Sequence, residues 1–122
     1  MATVDYAVED TTALLTLGDG ENRFNPEFLN AVLDALDAIE AETDAAALVV
    51  RSSHEKIFCN GIDLEWLVPV IRRRDTAAAK DFFYLLNRLL RRTLTYPMIT
   101  VAAITGHAFA GGAIWACAFD FR

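Results

Sequence analysis

The sequence predicts an α/β fold built as one small domain over residues 1–122. Two observations carry that prediction. Apolar runs of strand length alternate along the chain with longer segments of helical period. Composition agrees: 54% of the 122 residues are hydrophobic and 23% charged, a balance that suits a moderate core and excludes a disordered chain.

Each element has its own signal. "ALLTLG" (13–18) alternates in hydropathy and runs into "GDGEN", which predicts a strand over 12–17 followed by a turn. "NPEFLNAVLDALDAIEAE" predicts a helix over 26–42, with Asn25 as N-cap and Pro26 at the first helical position. Its Leu29, Val32, Leu33, Leu36 and Ile39 form an apolar stripe, and the acids take the other face. "AAALVVRS" (45–52) predicts a strand over 46–51, buried on both faces. "DTAAAKDFFYLLNRLLRRTLTY" predicts a long helix over 76–95, ended by Pro97. "MITVAAITG" predicts another buried strand, 99–105, leading through a glycine pair into a helix over 111–118. Strands separated by helices in this way call for right-handed crossovers.

Several function classes fall away on composition. Cys59 and Cys117 form neither a metal spacing nor a disulfide framework, which points to a reducing, cytoplasmic compartment and no metal. "MATVDYAVED" has no basic region followed by an apolar run, so no secretion leader is expected. The longest apolar stretch is interrupted by Thr100, Thr105, Gly106, His107 and the glycine pair, which argues against a membrane span. The net charge of −6 hides an asymmetry: residues 1–55 carry twelve acidic and two basic side chains, residues 56–122 five acidic and nine basic. The basic set includes Arg72, Arg73, Arg74, Lys80, Arg88, Arg91 and Arg92. Such a cluster suits nucleic acid, but at helical spacing it reads as a solvated face, and no nucleic-acid partner is expected.

Two segments read as parts of one site. "KIFCNGIDLEWL" (56–67) turns through Asn60-Gly61 into a helix-like pattern, and "GHAFAGGAI" follows a strand in the same manner. Ligands of α/β sheets sit at the ends of parallel strands. A backbone N–H from each segment, converging on one point, makes a two-donor oxyanion hole. Glycine permits close approach there, and a helix start supplies unpaired N–H groups with positive potential. The same glycines also suit plain close packing.

These segments carry a family resemblance. "FCNGIDL", "PMITVAAITGHAFAGGAIWACAFDFR" and "NRFNPEFLNAVLDAL" together resemble the enoyl-CoA hydratase/isomerase (crotonase) superfamily, in the family's order and over nearly the whole chain. The pattern is most similar to Δ3,Δ2-enoyl-CoA isomerases. The resemblance implies a crotonase-like spiral of ββα units, of which residues 1–122 make the N-terminal half, assembled as a homotrimer or hexamer. It implies an acyl-CoA thioester as substrate, no separate cofactor, and an enolate held by the backbone amides of Ile62 and Gly111. It further implies a substrate-binding set of Arg23, Phe24, Cys59, Gly61, Ile62, Asp63, Leu64, His107, Phe109, Gly111 and Ile114.

Departures from the family pattern narrow the reaction. The family's three-glycine run is here Ala110-Gly111-Gly112, with glycine kept at the donor. Hydratases of the family carry a glutamate where this chain has Ile114, and isoleucine moves no proton. The resemblance therefore implies the isomerase of fatty-acid β-oxidation, which shuttles a proton with one carboxylate supplied beyond Arg122. Enoyl-CoA hydratase and a non-catalytic acyl-CoA-binding module stay open as alternatives. Asp63 suits a helix cap, Asp120 a structural carboxylate and His107 a pocket residue. Cys59 has no basic partner nearby in sequence, so it reads as a small pocket-wall residue rather than a nucleophile. Arg23 and Phe24 match positions that pack against the coenzyme A arm. Trp66, Tyr84 and Trp115 read as core or acyl-pocket wall.

Overall fold

Strand–strand–helix units repeat three times along the chain, and the computed structural model describes residues 4–122. Met1, Ala2 and Thr3, which open the stretch read for a leader, lie outside the described residues. The first unit is β1 (Val4–Glu9), β2 (Thr12–Leu17) and α1 (Pro26–Glu42). The second is β3 (Ala47–Ser52), β4 (Ile57–Cys59), α2 (Leu64–Arg72) and α3 (Thr76–Leu94). The third is β5 (Ile99–Ala103), β6 (His107–Ala108) and α4 (Gly111–Cys117). A main sheet runs β1-β2-β3-β5, antiparallel between β1 and β2 and parallel elsewhere. β4 and β6 form a separate parallel pair.

The helix signals translate directly. Asn25 caps α1, its Oδ1 accepting the Phe28 N–H at 2.9 Å, and Pro26 takes the first turn where no N–H is needed. The stripe of Leu29, Val32, Leu33, Leu36 and Ile39 is buried, with Phe28 added to it. It shares one core with the inward residues of the sheet, Ala13, Leu15 and Leu17 from β2 and Leu48 and Val50 from β3. Each such leucine contributes about 1.5–3 kcal/mol by leaving water. α2 extends further than "EWL" suggests, continuing through Pro69 to Arg72 although proline forgoes one helical hydrogen bond.

Three expectations need correction. β3 and β5 are covered on one face only: Leu48, Val50, Thr100 and Ala102 are buried, while Arg51 and Ile99 are exposed. The helices of this chain cover a single side of the sheet, so alternation replaces two-sided burial. Tyr84 projects from α3 at 74% exposure, whereas Phe82, Leu89 and Thr93 are that helix's buried residues. Arg92 is no solvated residue: it donates to Asp37 and Glu40 on α1 and lies 4.8 Å from the Tyr96 ring centroid. The other basic residues of that set, from Arg72 to Arg91, are exposed.

Two polar ties hold the ends of the architecture. Asp120 accepts the Thr100 N–H at 2.9 Å and its own N–H donates to Thr100 Oγ1 at 3.0 Å, clasping the last residues onto β5. Asn22, wholly buried, organises the turn after β2. Its Oδ1 accepts the Asp19 N–H at 2.9 Å, and its Nδ2 donates to Ser52 Oγ at 2.8 Å and to the Phe58 carbonyl at 2.9 Å. Its φ of 54° lies in the left-handed region that asparagine tolerates better than most residues.

Asn22→Ala strands these partners and places a methyl side chain at positive φ, so it should destabilise the fold by about 2–4 kcal/mol. Asn22→Gly keeps the backbone comfortable and should cost less. Equilibrium urea unfolding of both variants checks the order; equal midpoints for parent and Asn22→Ala would remove Asn22 from this role.

Candidate functional site

Parallel pairing of β4 with β6 sets Ile57 against His107 and Cys59 against Ala108, so both strands deliver their chains to the same end. The Phe109 N–H donates to the Cys59 carbonyl at 3.0 Å and continues that pairing into the turns. Beyond it, Asn60–Asp63 leads into α2 and Phe109–Ala110 into α4. The two turns touch. A Cβ on Gly61 would stand 2.9 Å from the Gly111 nitrogen and 3.0 Å from the Phe109 carbonyl oxygen, and Gly61 has φ +80°. A Cβ on Gly112 would overlap the Cys59 carbonyl, so α4 lies against β4 backbone to backbone. Glycine is required at both places for these separate reasons.

Among the backbone donors that the hydrogen bonds around the turns leave over are those of Ile62 and Gly111. Phe24 pairs with the first turn as an isolated strand residue: its N–H donates to Gly61 O at 2.7 Å, and its carbonyl accepts the Asp63 N–H at 2.9 Å. The Ile62 N–H between them has no acceptor among the described residues. At α4, the Gly112 N–H donates to Phe109 O and the Ile114 N–H to Ala110 O, while the Gly111 N–H has no such acceptor. No side chain caps this helix. With only seven residues α4 adds little macrodipole, so directed N–H groups are what the site offers an anion.

Ala110 shapes the second donor. It adopts φ 49°, ψ −119°, a combination natural to glycine and strained for any residue with a Cβ. The peptide it orients is the one carrying the Gly111 N–H. Nothing in the sequence beyond the Ala-Gly-Gly substitution for three glycines signals this strain.

The side chains named from the sequence separate into two groups. Leu64, Phe109 and Ile114 are exposed apolar residues flanking the turns, at 60%, 55% and 60% exposure. His107 is exposed and stacks on Phe109 with ring centroids 5.0 Å apart. Asp63 caps α2, accepting the Glu65 and Trp66 N–H groups, and it also accepts from Asn25 Nδ2 at 3.0 Å. Arg23 lies 3.7 Å from Asp63 and 3.8 Å from Glu21, so carboxylates already compensate its charge.

Cys59 and Phe24 face inward, which corrects two expectations. Cys59 is wholly buried and donates from Sγ to the Asn22 carbonyl at 3.1 Å; packing of α4 over β4 seals it from any pocket. Burial pushes its thiol up to about 12, partly offset by a hydrogen bond from the Gly61 backbone, so it stays neutral and unreactive. Phe24 is wholly buried and its ring packs beneath Gly111 rather than against a solvent-facing arm. Trp115 is core, donating from Nε1 to Thr93 Oγ1 at 3.0 Å, and Trp66 is half-buried against Phe82. Sequence reading overlooked Asn22 and Thr93; a polar residue on an otherwise apolar helical stripe was the available signal for Thr93.

Among the described residues no cluster of three or more metal-ligating side chains occurs, and no helix is long and apolar enough to cross a membrane. The family model for enoyl-CoA hydratase/isomerase matches residues 8–122. Enoyl-CoA delta isomerase 2, peroxisomal, of Arabidopsis thaliana is 33% identical over 112 residues, 88% of this chain and 46% of that protein. An enoyl-CoA hydratase from Bacillus halodurans superposes with a TM-score of 0.89 at 26% identity, over 97% of this chain and 48% of the other. The apo structure of an enoyl-CoA isomerase of Mycobacterium tuberculosis gives 0.84 at 31% identity, over 98% and 49%. The chain thus spans about half the length of the proteins it matches.

Three expectations follow from the geometry, the last two to be read by equilibrium urea unfolding. At pH 8 a thiol with a pKa of about 12 is ionised to roughly one part in ten thousand. Iodoacetamide should therefore add once to the native chain, at the exposed Cys117, and twice after urea, as read by intact mass. Two rapid native adducts would contradict the burial of Cys59. Ala110→Gly should relieve strain and raise stability by about 1 kcal/mol. Gly61→Ala should lower it by about 1–3 kcal/mol, because the new methyl meets Gly111 at a φ that alanine resists.

Proposed function

Because the chain belongs to the enoyl-CoA hydratase/isomerase family, we propose that its protein stabilises the enolate of an acyl-CoA thioester between the Ile62 and Gly111 N–H groups. We further propose that the reaction is migration of a double bond from the 3 to the 2 position. One observation carries the reading: two unpartnered backbone donors stand on turns that touch each other at the ends of a parallel strand pair. As a base takes the C2 proton, charge gathers on the thioester oxygen. Donors about 2.7–3.1 Å from that oxygen stabilise it without reorganising. Returning the proton to C4 completes the isomerisation, so a single carboxylate serves as base and then as acid.

Ile114 supports migration over water addition. It projects from α4 one turn beyond Gly111, exposed and apolar, where it neither activates nor holds water. Leu64 and Phe109 add to that apolar surround. Asp63 and Asp120 are occupied as a helix cap and a strand clasp. The family resemblance assigns the shuttling carboxylate to the half of the family's length that this chain does not span. Coenzyme A enters as part of the substrate, no further cofactor is invoked, and the assembly is read as a trimer or hexamer. A reducing compartment suits the two free thiols, and cytoplasm is the reading retained, although the Arabidopsis relative is peroxisomal by name.

With the remaining half present, the protein should isomerise 3-enoyl-CoA much faster than it hydrates 2-enoyl-CoA when both are assayed side by side. Ile114→Glu should raise hydration relative to isomerisation by about tenfold or more, since a placed acid–base group contributes roughly 10²–10⁴. Robust hydration without isomerisation by the parent would return the protein to the hydratases. Tight acyl-CoA binding with neither activity would make it a binding module.

A further inference from the structure

We propose that Phe24 is the positioning residue that fixes the separation of the two amide donors, a role that rests on the oxyanion reading above. Its main chain and its ring act on different donors. Through the main chain, Phe24 brackets Ile62: its N–H holds Gly61 O at 2.7 Å, and its carbonyl holds the Asp63 N–H at 2.9 Å. Pinned on both sides, the Ile62 peptide must turn its own N–H away from Phe24. Through the ring, Phe24 supports Gly111. Its Cε2 and Cδ2 lie 3.2 and 3.4 Å from where a Gly111 Cβ would stand, which puts the ring directly beneath the donor residue.

The ring itself has little room to move. It meets Trp115 edge-on with centroids 5.9 Å apart and Phe28 at 6.2 Å. Trp115 is in turn held by its hydrogen bond to Thr93. Phe24 is wholly buried, so it touches no substrate and acts only through Ile62 and Gly111. One residue therefore joins the first turn to the second from below, while Gly61 and Gly111 meet above it.

Shortening the ring to leucine leaves the main-chain bracket on Ile62 intact and removes the support under Gly111. The second donor then settles toward the core while the first stays in place. Interactions made along the rest of an acyl-CoA are unaffected, so kcat should fall and KM should not. A misplacement of order 1 Å costs up to about 10²-fold in rate.

The test compares parent, Phe24→Leu and Leu36→Ala in the protein with its remaining half. It uses isomerase kinetics, thermal unfolding, and the ultraviolet enolate band of bound acetoacetyl-CoA. Phe24→Leu should lower kcat by about 10- to 100-fold with KM within about twofold, and reduce the enolate fraction of the bound probe. Leu36→Ala, which alters the same core cluster without touching the Phe24 ring, should lose at least as much thermal stability while keeping kcat and the enolate band within about twofold. If Phe24→Leu does not fold, Phe24→Met, closer in volume, takes its place. An unchanged kcat and enolate band in the Phe24 variant would overturn the proposal. So would an equal loss in Leu36→Ala, which would reduce the effect to general packing. A parent that binds acetoacetyl-CoA without enolising it would instead overturn the oxyanion reading, and this role with it.

Discussion

Backbone contact between α4 and β4 is the constraint on which the rest of the structure depends. With no side chain at Gly112, the helix rests on the Cys59 carbonyl, and with none at Gly61, the first turn reaches the Gly111 nitrogen. That approach decides the burial of Cys59, the placing of the donors and the need for a ring under Gly111. It also explains why β4 and β6, three and two residues long, are kept as a pair separate from the main sheet. Their work is to bring two turns to one place, which takes little length.

Much of this was legible in the sequence. Asn25-Pro26 marked a helix start because cap and first-turn chemistry are local, and the stripe from Leu29 to Ile39 marked its buried face because helical period is local too. The β2 alternation and the glycine turns were equally readable. β1, β4 and β6 were not. The last two are too short to show a period, and β1, though Val4, Tyr6 and Val8 alternate with Asp5 and Glu9, is an edge strand with four of its six residues exposed. One-sided burial of β3 and β5 was hidden as well, since an apolar run records which residues tolerate burial and not how many layers cover them.

The candidate site divides along the same line. Ile62 and Gly111 were indicated by the glycines beside them and by family resemblance. The inward turn of Cys59 and Phe24 was invisible, because direction at the end of a three-residue strand depends on what packs behind it. Asn22 illustrates the limit well: a polar residue in a turn looks solvated until Ser52 and Phe58, about thirty residues later, come within reach. Ala110 went unnoticed for a different reason. Strain is a property of the backbone angles, and alanine is the residue type that advertises them least.

Main-chain donors have an evolutionary consequence. A catalytic side chain is lost by one codon change, but an N–H survives every substitution except proline. Selection on such a site falls on the small residues that permit the approach and on the volumes that prop it. The surface around it is left free to drift. Lineages sharing this scaffold can then exchange the apolar residue one helical turn beyond the donor for a carboxylate, or the reverse, and change reaction without rebuilding the anion site. Under the function proposed above, the fold is a standing socket for an anion, in which new chemistry arrives at the rim.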